Sequence, residues 1–133
     1  ITPPATKLSS TPQAFPQSPY LSPLSAMATT GYVYIPKPCS TAGANCRIHV
    51  VFHGCEQAAA YTGDAVYGQL GYNAWADTNR VVVLYPQVEK STLSGNPMGC
   101  WDWWGYTGAF ATRYGPQTQS VQAMIDQLAQ TGS

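Results

Sequence analysis

Residues 50–57, VVFHGCEQ, run from an apolar stretch straight into His53-Gly54-Cys55. That pattern describes a strand delivering a tight backbone loop to a sheet edge, and such a loop usually exists to hold something. The chain's two histidines, His49 and His53, are candidate bases. Neither has a serine or aspartate at a motif spacing, so His49 reads as a satisfied structural histidine and His53 as a loop-shaping residue. Cys46, His49, His53 and Cys55 look like a metal-ligand list. On a strand, however, His49 and His53 lie ~13 Å apart, against metal–ligand bonds of ~2 Å, and we expect no metal. Gly-x-Ser-x-Gly, GxGxxG and P-loop patterns are absent. Asp102, among tryptophans, could carry a perturbed pKa, but one carboxylate defines no mechanism, and a hydrogen-bonding role in its loop is the expectation. Trp101, Trp103, Trp104 and Tyr106 crowd a single short stretch, CWDWWGY. A core corner can absorb one or two of them; the others are expected to line an apolar binding site.

The elements that must position these residues follow from periodicity. GYVYIP (31–36) alternates and stops at proline, as a short strand does. IHVVFHG (48–54) and RVVVLYP (80–86) are near-continuous apolar runs, the pattern of strands buried on both faces. Residues 61–79 predict a helix in their later part, weakened at its start by Gly68 and Gly71. Residues 116–132 predict a helix, with Pro116 at its start, Val121, Met124, Ile125 and Leu128 at i, i+3, i+4 and i+7, and Gly132 as its stop. The order strand, strand, helix, strand, helix means an α/β fold with a parallel pair. Two apolar strands ask for more neighbours than three strands supply. Residues 1–30 hold six of the eleven prolines and read as an extended lead-in or linker, with no helix or central strand. Residues 31–133 form the folded part.

Four cysteines allow three pairings. Cys46 and Cys55 bracket a strand and stand ~30 Å apart, too far for a bridge, which needs Cα atoms within ~7 Å. Cys39 and Cys46 fall at one sheet edge. Cys55 and Cys100 both follow strands that a right-handed crossover makes parallel, so they share the other. Cys39–Cys46 and Cys55–Cys100 is the expected pairing. It pins the aromatic stretch beside the His53-Gly54-Cys55 loop.

Charged residues make up 9% of the chain and six basic residues balance six acidic ones, so phosphate neutralisation has no basis and nucleic acid is not an expected partner. No apolar run approaches the ~20 residues of a membrane span. Low charge with paired cysteines suits an oxidising, extracellular compartment, or adsorption to a neutral material. Residues 1–30 lack the basic start and apolar run of a signal peptide; a secreted protein would have shed that segment or carry it upstream.

The combination of HVVFHGCEQ, RVVVLYPQ about 25 residues later, and GNPMGCWDWWGY resembles the extracellular polyhydroxybutyrate depolymerases, a family of α/β-hydrolases. With the preceding MATTGYVYIPKPC, the likeness is greatest to their circularly permuted members and extends over roughly residues 14–130. The resemblance implies a partial α/β-hydrolase fold, a three-layer αβα sandwich, formed from the C-terminal portion of a permuted member. It implies a serine-esterase reaction on polyester or a short-chain hydroxyester, without a cofactor. Cys55 would offer its backbone N–H to the oxyanion, and Trp101, Trp103, Trp104 and Tyr106 would form the substrate wall. Nothing here matches the family's Ser, His and Asp motifs, so the triad is expected upstream, on a second segment or chain, or lost. Rival readings are a feruloyl- or acetyl-type esterase of the same fold and a non-catalytic module that adsorbs to polymer through its tryptophans.

Overall fold

A computed structural model describes residues 1–91, 95–108 and 110–130. Four strands form one mixed sheet: β1 (Gln13–Pro16), β2 (Thr30–Tyr34), β3 (Arg47–Val50) and β4 (Val81–Tyr85), in the order β1-β2-β4-β3. β3 and β4 are parallel, with Ile48 opposite Val82 and Val50 opposite Leu84. β2 runs antiparallel to β4, and β1 antiparallel to β2. The apolar run of β4 is buried because both faces are covered. Val82 and Leu84 pack with Val121, Met124 and Leu128 of helix α4 (Pro116–Gln130). Val83 and Tyr85, pointing the other way, pack with Ala76 of helix α3 (Tyr72–Asn79). The alternation is the period of a strand: successive side chains leave opposite faces.

One expectation needs correction and two are refined. First, the lead-in has no central strand, but Gln13–Pro16 adds a fourth strand at the edge, where Pro16 costs the ladder least. The chain after it is tied down by Gln17, which is fully buried. The Gln17 side-chain amide donates to the carbonyls of Ala28 and Gln87 and accepts from the Gln87 N–H at 2.9 Å, bonding where a strand would have bonded. A Cβ at Gly31 would overlap that amide, so a residue without one is required there. The N-terminus is also strapped along α3: the Ala5 N–H donates to the Ala74 carbonyl at 2.9 Å, and Ser9 to the Asp77 carboxylate.

Second, the later part of residues 61–79 is helical, as expected, and forms α3. Short helices α1 (Ala59–Thr62) and α2 (Ala65–Gln69) precede α3. Gly63 and Gly71 separate them, at φ +60° and +87°, a region glycine enters without steric cost. Third, β3 is shorter than 48–54 and is not buried on both faces. It lies at the sheet edge, with Arg47 and His49 exposed and Ile48 and Val50 half-buried. His49 is therefore not an interior histidine; its ring faces Tyr72 at 6.2 Å. β3 has no neighbour on one side among the described residues, and half-buried Ile48 and Val50 alternate with exposed Arg47 and His49, the pattern of an edge strand. Helix α4 is described to Gln130; Gly132, its expected stop, lies outside the described residues.

Candidate active site

The parallel pair brings two loops to the same end of the sheet. Val51 continues the β3 pairing by one N–H, to the Leu84 carbonyl at 2.9 Å. The chain then leaves the sheet as Phe52-His53-Gly54-Cys55. His53 is buried and bridges the loops: its Nε2 accepts from the Val88 N–H at 3.3 Å, and its Nδ1 bonds the Gly54 carbonyl at 2.8 Å. An acceptor at Nε2 leaves the proton on Nδ1, so the imidazole is a neutral spacer with both nitrogens engaged. The loop-shaping role expected of His53 fits this geometry.

Burial holds the His53 pKa below its ordinary 6.5, against a smaller opposing pull from the Gly54 carbonyl. The unfolded chain therefore binds a proton that the folded chain refuses. Stability contributed by neutral His53 is complete above pH 6.5 and is lost as pH falls towards the folded-state pKa. Urea midpoints should fall between pH 8 and pH 5, and His53→Gln should flatten that slope. An equal slope in the variant would remove His53 as its source.

Beyond His53, residues 54–57 form a turn whose amides can be accounted for one at a time. The Gly54 N–H donates to Gln57 Oε1 at 2.7 Å, the Gln57 N–H to the Gly54 carbonyl at 3.2 Å, and the Glu56 N–H to the Met98 carbonyl at 2.8 Å. The Cys55 N–H has no acceptor among the described residues, and Cys55 is exposed. Glu56 takes a left-handed φ of +58°, a conformation that costs a non-glycine residue ~1 kcal/mol or more and that persists only where its surroundings impose it. The disulfides are Cys39–Cys46 and Cys55–Cys100, the pairing the strand geometry requires.

The second bridge fastens the turn to the aromatic stretch, which is itself fixed from inside. Asn96 is fully buried; its side chain donates to the Cys100 carbonyl and accepts from the Cys100 N–H, each at 2.8 Å. The Tyr106 hydroxyl donates to the same carbonyl at 2.6 Å and accepts from Gln117 of α4 at 2.8 Å. Asp102 collects the N–H groups of Trp104, Gly105, Tyr106 and Thr107 and the Thr107 hydroxyl. Burial raises the Asp102 pKa, but the Thr107, Gly105 and Trp104 hydrogen bonds outweigh it and leave it below its ordinary 3.8. Asp102 is an ionised staple of the loop, the role its sequence context suggested.

The four aromatics divide. The Tyr106 hydroxyl belongs to the internal network. Trp101 is half-buried, edge-on to Phe52 at 5.0 Å and tilted against His53 at 5.7 Å. Trp103 and Trp104 are exposed by 71% and 43% and meet at 5.1 Å. Phe52, His53 and Trp101 form one wall of a cavity of ~470 Å³ whose opposite wall is Val121, Gln122 and Ile125 of α4. Cys55 does not line that cavity; it is joined to it through Cys100, the neighbour of Trp101. Phe52, Asn96 and Gln117 carry no sequence signal: Phe52 and Gln117 meet partners distant in the chain, and Asn96, four residues before Cys100, sits in a loop with no periodicity.

No protein-family model matches the chain. A poly(3-hydroxybutyrate) depolymerase of Delftia acidovorans is 46% identical over 105 residues, 77% of this chain and 20% of the relative. A polyhydroxybutyrate depolymerase of Talaromyces funiculosus is 38% identical over 112 residues, 77% of this chain and 33% of the relative. The crystal structure of PHB depolymerase from Penicillium funiculosum aligns with all of this chain and 45% of its own, with a TM-score of 0.87 and 32% identity. A PHB depolymerase with a serine-to-alanine substitution, complexed with an R3HB trimer, aligns with 96% of this chain and 42% of its own, with a TM-score of 0.79 and 35% identity. The chain thus spans a third or less of the curated relatives and under half of each solved structure.

Proposed function

We propose that this chain, homologous along most of its length to part of the polyhydroxybutyrate depolymerases, supplies the oxyanion donor and one substrate wall of a secreted polyester hydrolase. Its sheet would be part of a three-layer αβα sandwich in a circularly permuted α/β-hydrolase, with the Ser-His-Asp triad on another segment. The observation that carries the reading is the Cys55 amide, uncommitted within a turn whose other three amides are bonded. A serine hydroxyl, giving its proton to the histidine of the triad as it attacks an ester carbonyl, moves the C=O electron pair onto oxygen. The Cys55 N–H would donate to that oxyanion, together with the amide following the nucleophile. Collapse re-forms the carbonyl and expels the alcohol, which takes a proton from the catalytic imidazolium. Water then releases the acyl group by the same steps. His53, with both nitrogens engaged, is unsuited to be the base.

Trp103 and Trp104 favour a polymer over a small soluble ester, because large exposed aromatics are costly on a surface unless something covers them. The polypeptide carrying these residues is expected to hydrolyse poly(3-hydroxybutyrate) film in preference to feruloylated or acetylated saccharides. Trp103→Ala should weaken adsorption to the film roughly tenfold, the ~1.4 kcal/mol expected of one aromatic anchor, with the thermal midpoint unchanged. Saccharide-ester turnover exceeding polyester turnover would assign the fold to the rival esterase chemistry. Film binding without turnover of any ester would leave an adsorbing module.

A further inference from the structure

We propose that Gln57 is a positioning residue for the Cys55 amide, an inference that rests on the oxyanion reading of Cys55. Gln57 closes the turn twice with one neighbour. Its side-chain Oε1 accepts the Gly54 N–H at 2.7 Å, and its own N–H donates to the Gly54 carbonyl at 3.2 Å. Its carbonyl is in turn held by the Thr62 hydroxyl at 3.3 Å, at the end of α1. The side chain can come this near because residue 54 is glycine: a Cβ there would stand 2.8 Å from Gln57 Oε1.

The consequence is selective. Gly54 and Cys55 present consecutive amides, and an anion approaching the loop could engage either. The Gln57 side chain removes the first from contention and sets the entry to the next peptide, whose Gly54 carbonyl is held by the Gln57 N–H and by His53 Nδ1. Glu56, in its left-handed conformation, is held from the other side by the Met98 carbonyl. Cys55 is thus flanked by two bonded amides, and its own has nowhere to relax. Donor geometry set before the reaction is what makes an oxyanion site effective, since no reorganisation is then needed as charge develops. Losing the Gln57 acceptor leaves the Cys55 N–H in the molecule but loosens its aim. The effect on rate should therefore be smaller than the ~10²–10³ lost with a whole donor.

Gln57→Met keeps the length of the side chain and removes the acceptor; Gln57→Glu keeps an acceptor. In the full polypeptide, Gln57→Met should speed Gly54 amide exchange about tenfold relative to the parent and to Gln57→Glu, with Cys55 exchange rapid in all three. In the full polypeptide, with active sites counted by a fluorophosphonate, Gln57→Met should lower kcat for a hydroxybutyrate trimer about tenfold and leave KM unchanged. Unaltered Gly54 exchange, or an unaltered kcat per counted site, would overturn the role of Gln57 while leaving Cys55 in place. A parent polypeptide inert to both probe and trimer would overturn the oxyanion reading, and this inference with it.

Discussion

Residues 1–133, expressed alone, are expected to leave a fluorophosphonate unreacted and a short-chain nitrophenyl ester unhydrolysed. His53 has both ring nitrogens engaged, and His49 faces a tyrosine ring on an edge strand. Among the described residues, neither is hydrogen-bonded to a serine or a carboxylate. An oxyanion donor without a nucleophile and base forfeits the part of catalysis worth ~10⁶ in kcat. The same chain should not remain an inert monomer. Among the described residues β3 has one side of its backbone ladder open, a template for pairing. We expect it to self-associate through that edge or to dock on the polypeptide carrying the triad, whose addition should restore turnover. Intact-mass analysis after probe treatment, with size-exclusion chromatography, checks both halves. One phosphonate on a serine of this chain, with turnover from a monomer, would place the nucleophile within it and refute the division of labour.

Much of this arrangement was legible because it follows from local pattern. Continuous apolar runs marked β4 and the start of β3, and the i, i+3, i+4, i+7 series at Val121–Leu128 marked the buried stripe of α4. Strand length excluded a Cys46–Cys55 bridge, and the right-handed crossover that puts Cys55 and Cys100 at one sheet edge selected the observed pairs. What escaped was long-range or conformational. β1 hides in a proline-rich stretch because its anchor is the Gln17 amide reaching Gln87, 70 residues away. The short helices α1 and α2 ahead of α3, set apart by glycines at positive φ, are too brief to show a period of their own. The apolar run 48–54 overstated β3, which ends at Val50 and alternates half-buried Ile48 and Val50 with exposed Arg47 and His49; the rest of the run leaves the sheet as the loop. At the site, the loop and its cysteines were readable, but the bond that commits Gly54 was not, since a glutamine three residues on has no periodic signature.

Removing the two disulfides one at a time should separate stability from catalysis. The bridges differ in span: 45 residues between Cys55 and Cys100, and 7 between Cys39 and Cys46. In the loop-entropy account, the longer is worth about 4 kcal/mol and the shorter about 2 kcal/mol. On stability alone, then, the variants Cys55→Ser/Cys100→Ser and Cys39→Ser/Cys46→Ser differ by only a factor of two. On catalysis they should differ by orders of magnitude. Serine at 55 retains the backbone N–H, so the donor is still present; what is lost is its tether to Cys100, which Asn96 and Tyr106 hold in turn. A donor free to drift approaches the loss of a donor, about 10² in kcat. The Cys39–Cys46 bridge joins the segment after β2 to the start of β3, away from the turn, so its removal should lower the urea midpoint and leave kcat per counted site unchanged. The measurements are urea unfolding and fluorophosphonate-counted kinetics on the full polypeptide, at a temperature where both variants remain folded. If kcat falls equally in the two, the Cys55–Cys100 bridge serves stability alone; if only its own variant loses rate, the bridge is what keeps the Cys55 amide in line with the reacting oxygen.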